Sequence, residues 1–143
     1  MRIAIVGASK LSENEERDAE QYVNYMLDQR ISQSLTGDIT VVSGGAKGID
    51  SIAERIAKQK GLKTQIFEPE IQQWEDKEGK TGFRYRNLKI AGDCDVLYCI
   101  PIALRDKRCY HCDADHQVGG GCWTMWQARK LGKETHLIPP IKR

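Results

Sequence analysis

The chain has 143 residues, enough to bury one hydrophobic core and too few for two ordinary domains. Its 22 Lys and Arg against 20 Asp and Glu leave a net charge of +2, which excludes a general electrostatic case for nucleic-acid or membrane adhesion, so any anion site must be local. Five cysteines, an odd number with no secretory leader in view, argue against a disulfide framework and for thiols or metal ligands.

Met1 to Gly7 is a strand-length apolar run ending at glycine, far short of a signal peptide or a membrane span, and a cytoplasmic location is expected from it. Ser12-Glu13-Asn14-Glu15 reads as a helix start, and Ala19, Tyr22, Val23, Met26, Leu27 and Ile31 recur at helical spacing until Gly37 closes the element. Ile39 to Ser43 is a second strand. Ile49, Ile52, Ala53, Ile56 and Ala57 mark one face of a second helix that ends by Gly61, and Lys63 to Phe67 is a third strand. The pattern is lost from Glu68 to Gly82, where an active-site loop and a variable surface excursion would look alike; the former is favoured. Phe83 to Ala91 reads as helix, Val96 to Ile100 as strand, Trp123 to Leu131 as helix and Glu134 to Ile138 as a last strand. Strands separated by helices throughout predict an α/β fold: a Rossmann-like, doubly wound, mainly parallel five-stranded sheet with helices on both faces, in a single domain over 1–143.

Such sheets bind ligands beyond the carboxyl ends of their strands, at the point where strand order reverses. Three glycine-bearing segments fall there: Gly7-Ala8-Ser9; Ser43-Gly44-Gly45-Ala46-Lys47-Gly48, which opens into a helix; and Gly119-Gly120-Gly121, with Thr124 just beyond. Backbone N–H groups at a helix start lack intrahelical partners and carry partial positive charge, so these turns suit a phosphate-bearing ligand. Trp123 and Trp126 are expected to pack, with Trp74 or Trp123 an alternative platform for a stacked base. Cys94 and Cys99 read as core cysteines, and His136 as an ordinary strand residue.

With these residues in order, Val41 to Gly61, Trp74, Gly82-Phe83-Arg84-Tyr85-Arg86-Asn87, Asp95-Val96-Leu97 and the final glycine turn with Thr124, Ala128, Gly132 and Lys133, the chain resembles the SLOG superfamily. That group holds the Rossmann-like domains of the DNA-processing proteins SMF/DprA and the lysine-decarboxylase-like LOG proteins, and the likeness is strongest to its small YspA-like members. The resemblance implies a nucleotide or nucleotide-derived ligand and self-association into a homo-oligomer. Carried over residue by residue, it points to Ser43, Gly44, Gly45, Gly48, Asp50, Arg84, Arg86, Asn87, Gly119, Gly120, Gly121 and Thr124, to which the position of the first turn adds Gly7 and Ser9. A guanidinium can bind phosphate bidentately; Asp50 could orient the loop, take a ribose hydroxyl or merely cap its helix. Arg84 and Arg86 stand two apart on a helix, on different faces, so one of them is expected to reach the ligand.

LOG phosphoribohydrolases share Pro-Gly-Gly-x-Gly-Thr-x-x-Glu, with a catalytic glutamate at its end. Aligned on Thr124, this chain has Gln127 there, and an amide cannot exchange a proton as a carboxylate does. Binding by a sensor or carrier is therefore favoured over hydrolysis of a nucleoside monophosphate, which stays as the alternative. A single-stranded nucleic-acid module of the DprA kind is a further one, against which the near-neutral charge counts.

An insertion at about 103–122 holds three of the five cysteines and two of the three histidines. Cys109 and Cys112 form a Cys-x-x-Cys pair, and His116 with Cys122 could complete a closed, structural zinc site. His111 in place of His116, a three-ligand catalytic zinc, a redox-active pair and metal-free thiols are the alternatives.

Overall fold

The computed structural model describes residues 1–101 and 120–138. Nine elements follow in the order β1 (Arg2–Gly7), α1 (Glu13–Gln33), β2 (Thr40–Ser43), α2 (Ile49–Gln59), β3 (Lys63–Ile66), α3 (Phe83–Asp93), β4 (Val96–Ile100), α4 (Gly120–Lys130) and β5 (Glu134–Leu137). The strands form one sheet in the order β3-β2-β1-β4-β5, and every pairing is parallel.

Period-two alternation sends the side chains of each central strand to two separate cores. Ile3, Ile5, Val41, Val96, Tyr98 and Ile100 face α1 and α2, while Ala4, Val6, Val42, Leu97 and Cys99 face α3 and α4. Helices thus cover both faces, and β1 and β4 read as unbroken apolar runs because neither face meets water. The edge strands differ: Lys63, Gln65, Glu134 and His136 alternate outward, and charge on an edge discourages pairing with another chain.

α1 begins in a full capping box. The Glu15 N–H donates to Ser12 Oγ and the Ser12 N–H to Glu15 Oε1, at 3.3 and 2.9 Å. It ends at Gln33 rather than at Gly37, because Ser34 turns extended and donates its N–H to the Ile31 carbonyl. α4 starts three residues before the expected Trp123. Glycines carry no apolar periodicity, so a first turn built on Gly120-Gly121 leaves no mark in the pattern. No helix among the described residues is long and apolar enough to cross a membrane.

Candidate functional site

Strand order reverses between β1 and β4, whose last residues Gly7 and Ile100 stand in register. Beyond that end of the sheet lies a cavity of about 280 Å³. Val6 and Gly7 floor it, Ala46 and Asp50 close it from the β2–α2 turn, and Gly120, Gly121 and Thr124 from the start of α4. α3 supplies Phe83, Arg86, Asn87 and Ile90. Those four positions are spaced three, one and three apart and so form one stripe of the helix.

Helical phase separates the two arginines. Arg86 points into the cavity and is 9% exposed; its guanidinium donates through Nη1 to the Gly44 carbonyl and through Nε to Asn87 Oδ1, the latter at 2.7 Å. Burial pulls its pKa below the ordinary arginine range, opposed by the charge of Asp50. Arg84 lies on the other side, 4.0 Å from the Glu75 carboxylate and over the ring of Trp123. With Oδ1 held by Arg86, the amide nitrogen of Asn87 borders Gly120, where an added Cβ would lie 3.2 Å from it.

The glycine turn after β2 uses its own polar groups. The Gly45 N–H donates to Ser43 Oγ, the Ala46 N–H to Asp50 Oδ2 and the Ile49 N–H to the Ala8 carbonyl, at 3.3, 3.3 and 3.0 Å. Ser43 is fully buried and donates to Glu54 Oε1 at 2.7 Å. The carboxylate of Asp50 therefore stands where the sequence suggested a phosphate, and what the turn presents to the cavity is an acid. That acid is 8% exposed, and burial is the main cause that raises its pKa, to about 6; the Ala46 N–H and the Arg86 charge oppose the rise. Gly48 is required where it stands, since its φ is +77° and a Cβ would sit 2.3 Å from the Ala8 carbonyl oxygen.

Of the other expected residues, Ser9 lines the cavity, while Thr124 does so with its hydroxyl donated to the Gly120 carbonyl at 2.6 Å. Gln127 is half-buried and is not among the lining residues. Gly119, Cys109, Cys112 and His116, with the rest of the insertion up to 119, lie outside the described residues. Cys122 is 3% exposed in the apolar cluster under α4, near Cys94 and Cys99, which are also buried. Among the described residues no group of three or more potential ligands could hold a metal ion. Phe83, Ile90 and Val6 were not foreseen as site residues; the helical stripe that carries Arg86 would have found the first two.

The first 68 residues match the family of DNA recombination-mediator protein A. No curated protein matches the chain by sequence. Among solved structures, DNA processing protein A from Streptococcus pneumoniae superposes with a TM-score of 0.64 at 21% identity, over 96% of this chain and 50% of that one. The Helicobacter pylori DNA processing protein A, described for its single-stranded DNA binding mode, gives 0.61 at 17% identity, over 97% and 65%. The structural-genomics target TM1055 gives 0.60 at 17%, over 94% and 71%. The chain thus spans about half the length of the Streptococcus pneumoniae protein it resembles. The parallel 3-2-1-4-5 sheet of this chain is thus a Rossmann-like α/β fold similar to that of these structures, and its first 68 residues are similar to the DNA recombination-mediator protein A family.

Proposed function

We propose that this chain is a cytoplasmic protein that binds a nucleotide or nucleotide-derived small molecule, as a sensor or carrier, in the cavity at the β1/β4 switch point. One observation carries the reading: a buried arginine, an amide, an acid and the first turn of a helix converge on a cavity of about 280 Å³, at the lower end of small-ligand sites. Arg86 and the N–H groups of α4 would meet a phosphate, and Asp50 a hydroxyl of the sugar. Isothermal titration of the folded protein against mono- and dinucleotides, cyclic nucleotides and ADP-ribose-type compounds is expected to give saturable binding to at least one class. Folded protein that binds none of them overturns the proposal.

The family match and the Helicobacter pylori neighbour support a second reading, capture of single-stranded DNA. A labelled oligonucleotide titrated at several salt concentrations separates the two, because strand capture through phosphates weakens steeply with salt. The hydrolytic alternative has its own readout, free base released from a nucleoside monophosphate; with Gln127 at the aligned position none is expected. Zinc on Cys109, Cys112 and His116 with Cys122 is part of the proposal, and elemental analysis tests it: stoichiometric metal that is lost in Cys109→Ser supports the site, and metal-free folded protein ends it.

A further inference from the structure

The segment between β3 and α3 has no regular structure, yet its backbone is held at both ends. The N–H groups of Glu70 and Ile71 donate to the Thr81 carbonyl at 2.9 and 3.2 Å, which closes the loop at its base. Near its middle, the carbonyls of Gln73 and Trp74 accept the N–H groups of Phe83 and Arg84, both at 2.8 Å. Two orphan donors of α3 are thereby met by the loop itself rather than by solvent. The approach is so close that a Cβ on Gly82 would fall 2.4 Å from the Trp74 carbonyl oxygen.

This anchoring fixes the backbone of Trp74, a residue that is left 41% exposed and lines the cavity. Its indole meets Trp123 edge-on, with centroids 5.0 Å apart and planes at 83°. An edge-on contact uses at most one face of either ring, so a further planar group can lie against Trp74. Trp123 is held in turn by the guanidinium of Arg84, itself beside Glu75. Phe83 adds a second aromatic ring to the same wall, although Arg86 lies over one of its faces, at 5.4 Å from the centroid.

Resting on the ligand-binding reading above, we infer that Trp74, presented by the anchored 68–82 loop, is the specificity-determining residue of the site and stacks on a planar heterocyclic ring of the ligand. Selection at this wall is for the ring, while the polar groups across the cavity take the sugar and phosphate. Stacking of this kind tolerates any base, because every base has a π-face.

The test compares AMP, GMP and CMP with ribose 5-phosphate, which has the sugar and phosphate but no ring, by isothermal titration and tryptophan fluorescence on the full chain. The nucleotides are expected to bind at least about tenfold tighter than ribose 5-phosphate and to quench the emission. Trp74→Ala should lose about tenfold in nucleotide affinity, equivalent to about 1.4 kcal/mol, with ribose 5-phosphate unaffected. Trp74→Phe should recover most of the loss, which also guards against a variant that folds poorly. Ribose 5-phosphate binding as tightly as AMP, or wild-type nucleotide affinity in Trp74→Ala, overturns the role of Trp74 and leaves the cavity a ligand site. Binding of neither class overturns both readings together.

Discussion

Asp50 is the residue at which stability and ligand binding pull in opposite directions. Its carboxyl is pushed up to about 6, from an ordinary value of 3.8, chiefly by burial. An acid raised in the fold binds its proton more tightly there than in the unfolded chain, so its contribution to stability is full below about pH 4 and falls as the pH rises through 6. Ionising it in the folded protein costs on the order of 2–3 kcal/mol by pH 7.5. Asp50→Asn can keep an acceptor toward the Ala46 N–H while it removes the buried charge. The variant should therefore gain stability relative to wild type at pH 7.5 by about 1–3 kcal/mol, and little at pH 4. Urea denaturation at the two values checks this, and a gain of the same size at both would show that the charge is not the cause. The same substitution should weaken any ligand that donates a hydroxyl to this carboxylate.

At the scale of elements, the entry to α2 is the least replaceable joint. Gly48 has φ +77° and Gly37 has φ +70°, but only Gly48 is hemmed in, by the carbonyl of Ala8 and the backbone of Ser9; nothing lies within 4 Å of a Cβ built on Gly37. Gly37→Ala should accordingly lose only the conformational cost, about 1–2 kcal/mol. Gly48→Ala adds a clash with backbone that cannot rotate aside, a further cost of about 1–3 kcal/mol. Equal losses in denaturant midpoint for the two variants would show that the close approach to Ala8 is relieved cheaply. α2 itself was legible in the sequence, since all five of its expected face residues are buried. Amphipathic periodicity reports burial directly. It says nothing of a glycine first turn, which is why the start of α4 was misplaced, nor of an irregular segment whose course depends on pairs such as Thr81 with Glu70 or Gln73 with Phe83. The arginine that reaches the cavity was readable only to the extent of a choice, Arg84 or Arg86, because the choice rests on helical phase relative to a sheet that the sequence does not show. That the turn after β2 takes up its own Asp50 carboxylate was readable only as one of several roles open to Asp50, because the residues that favour an anion site are the same ones that can build its internal substitute.

For the whole molecule, the cavity exists because distant parts of the chain meet at one point. Gly7 closes the first strand and Gly121 lies in the first turn of α4. Their backbones approach so closely that a Cβ on Gly121 would lie 2.8 Å from both the Cα and the nitrogen of Gly7. A Cβ on Gly7 would in turn fall 2.2 Å from the Ile100 carbonyl oxygen, so neither partner can yield toward the sheet. This contact sets the height of α4 above the switch point, and α4 carries Met125 and Ala128 into one core and Thr124 to the cavity wall. Ala at 121 would be the better helix former, yet it has to lift the helix from β1. Gly121→Ala should therefore destabilise the fold by about 1–3 kcal/mol and, at a temperature where the variant is fully folded, also weaken nucleotide binding. Calorimetric unfolding and titration of the same preparation read the two effects separately. A variant that is stabilised, as helix propensity alone would have it, and that binds as wild type does would show that the Gly7–Gly121 contact does not shape the site.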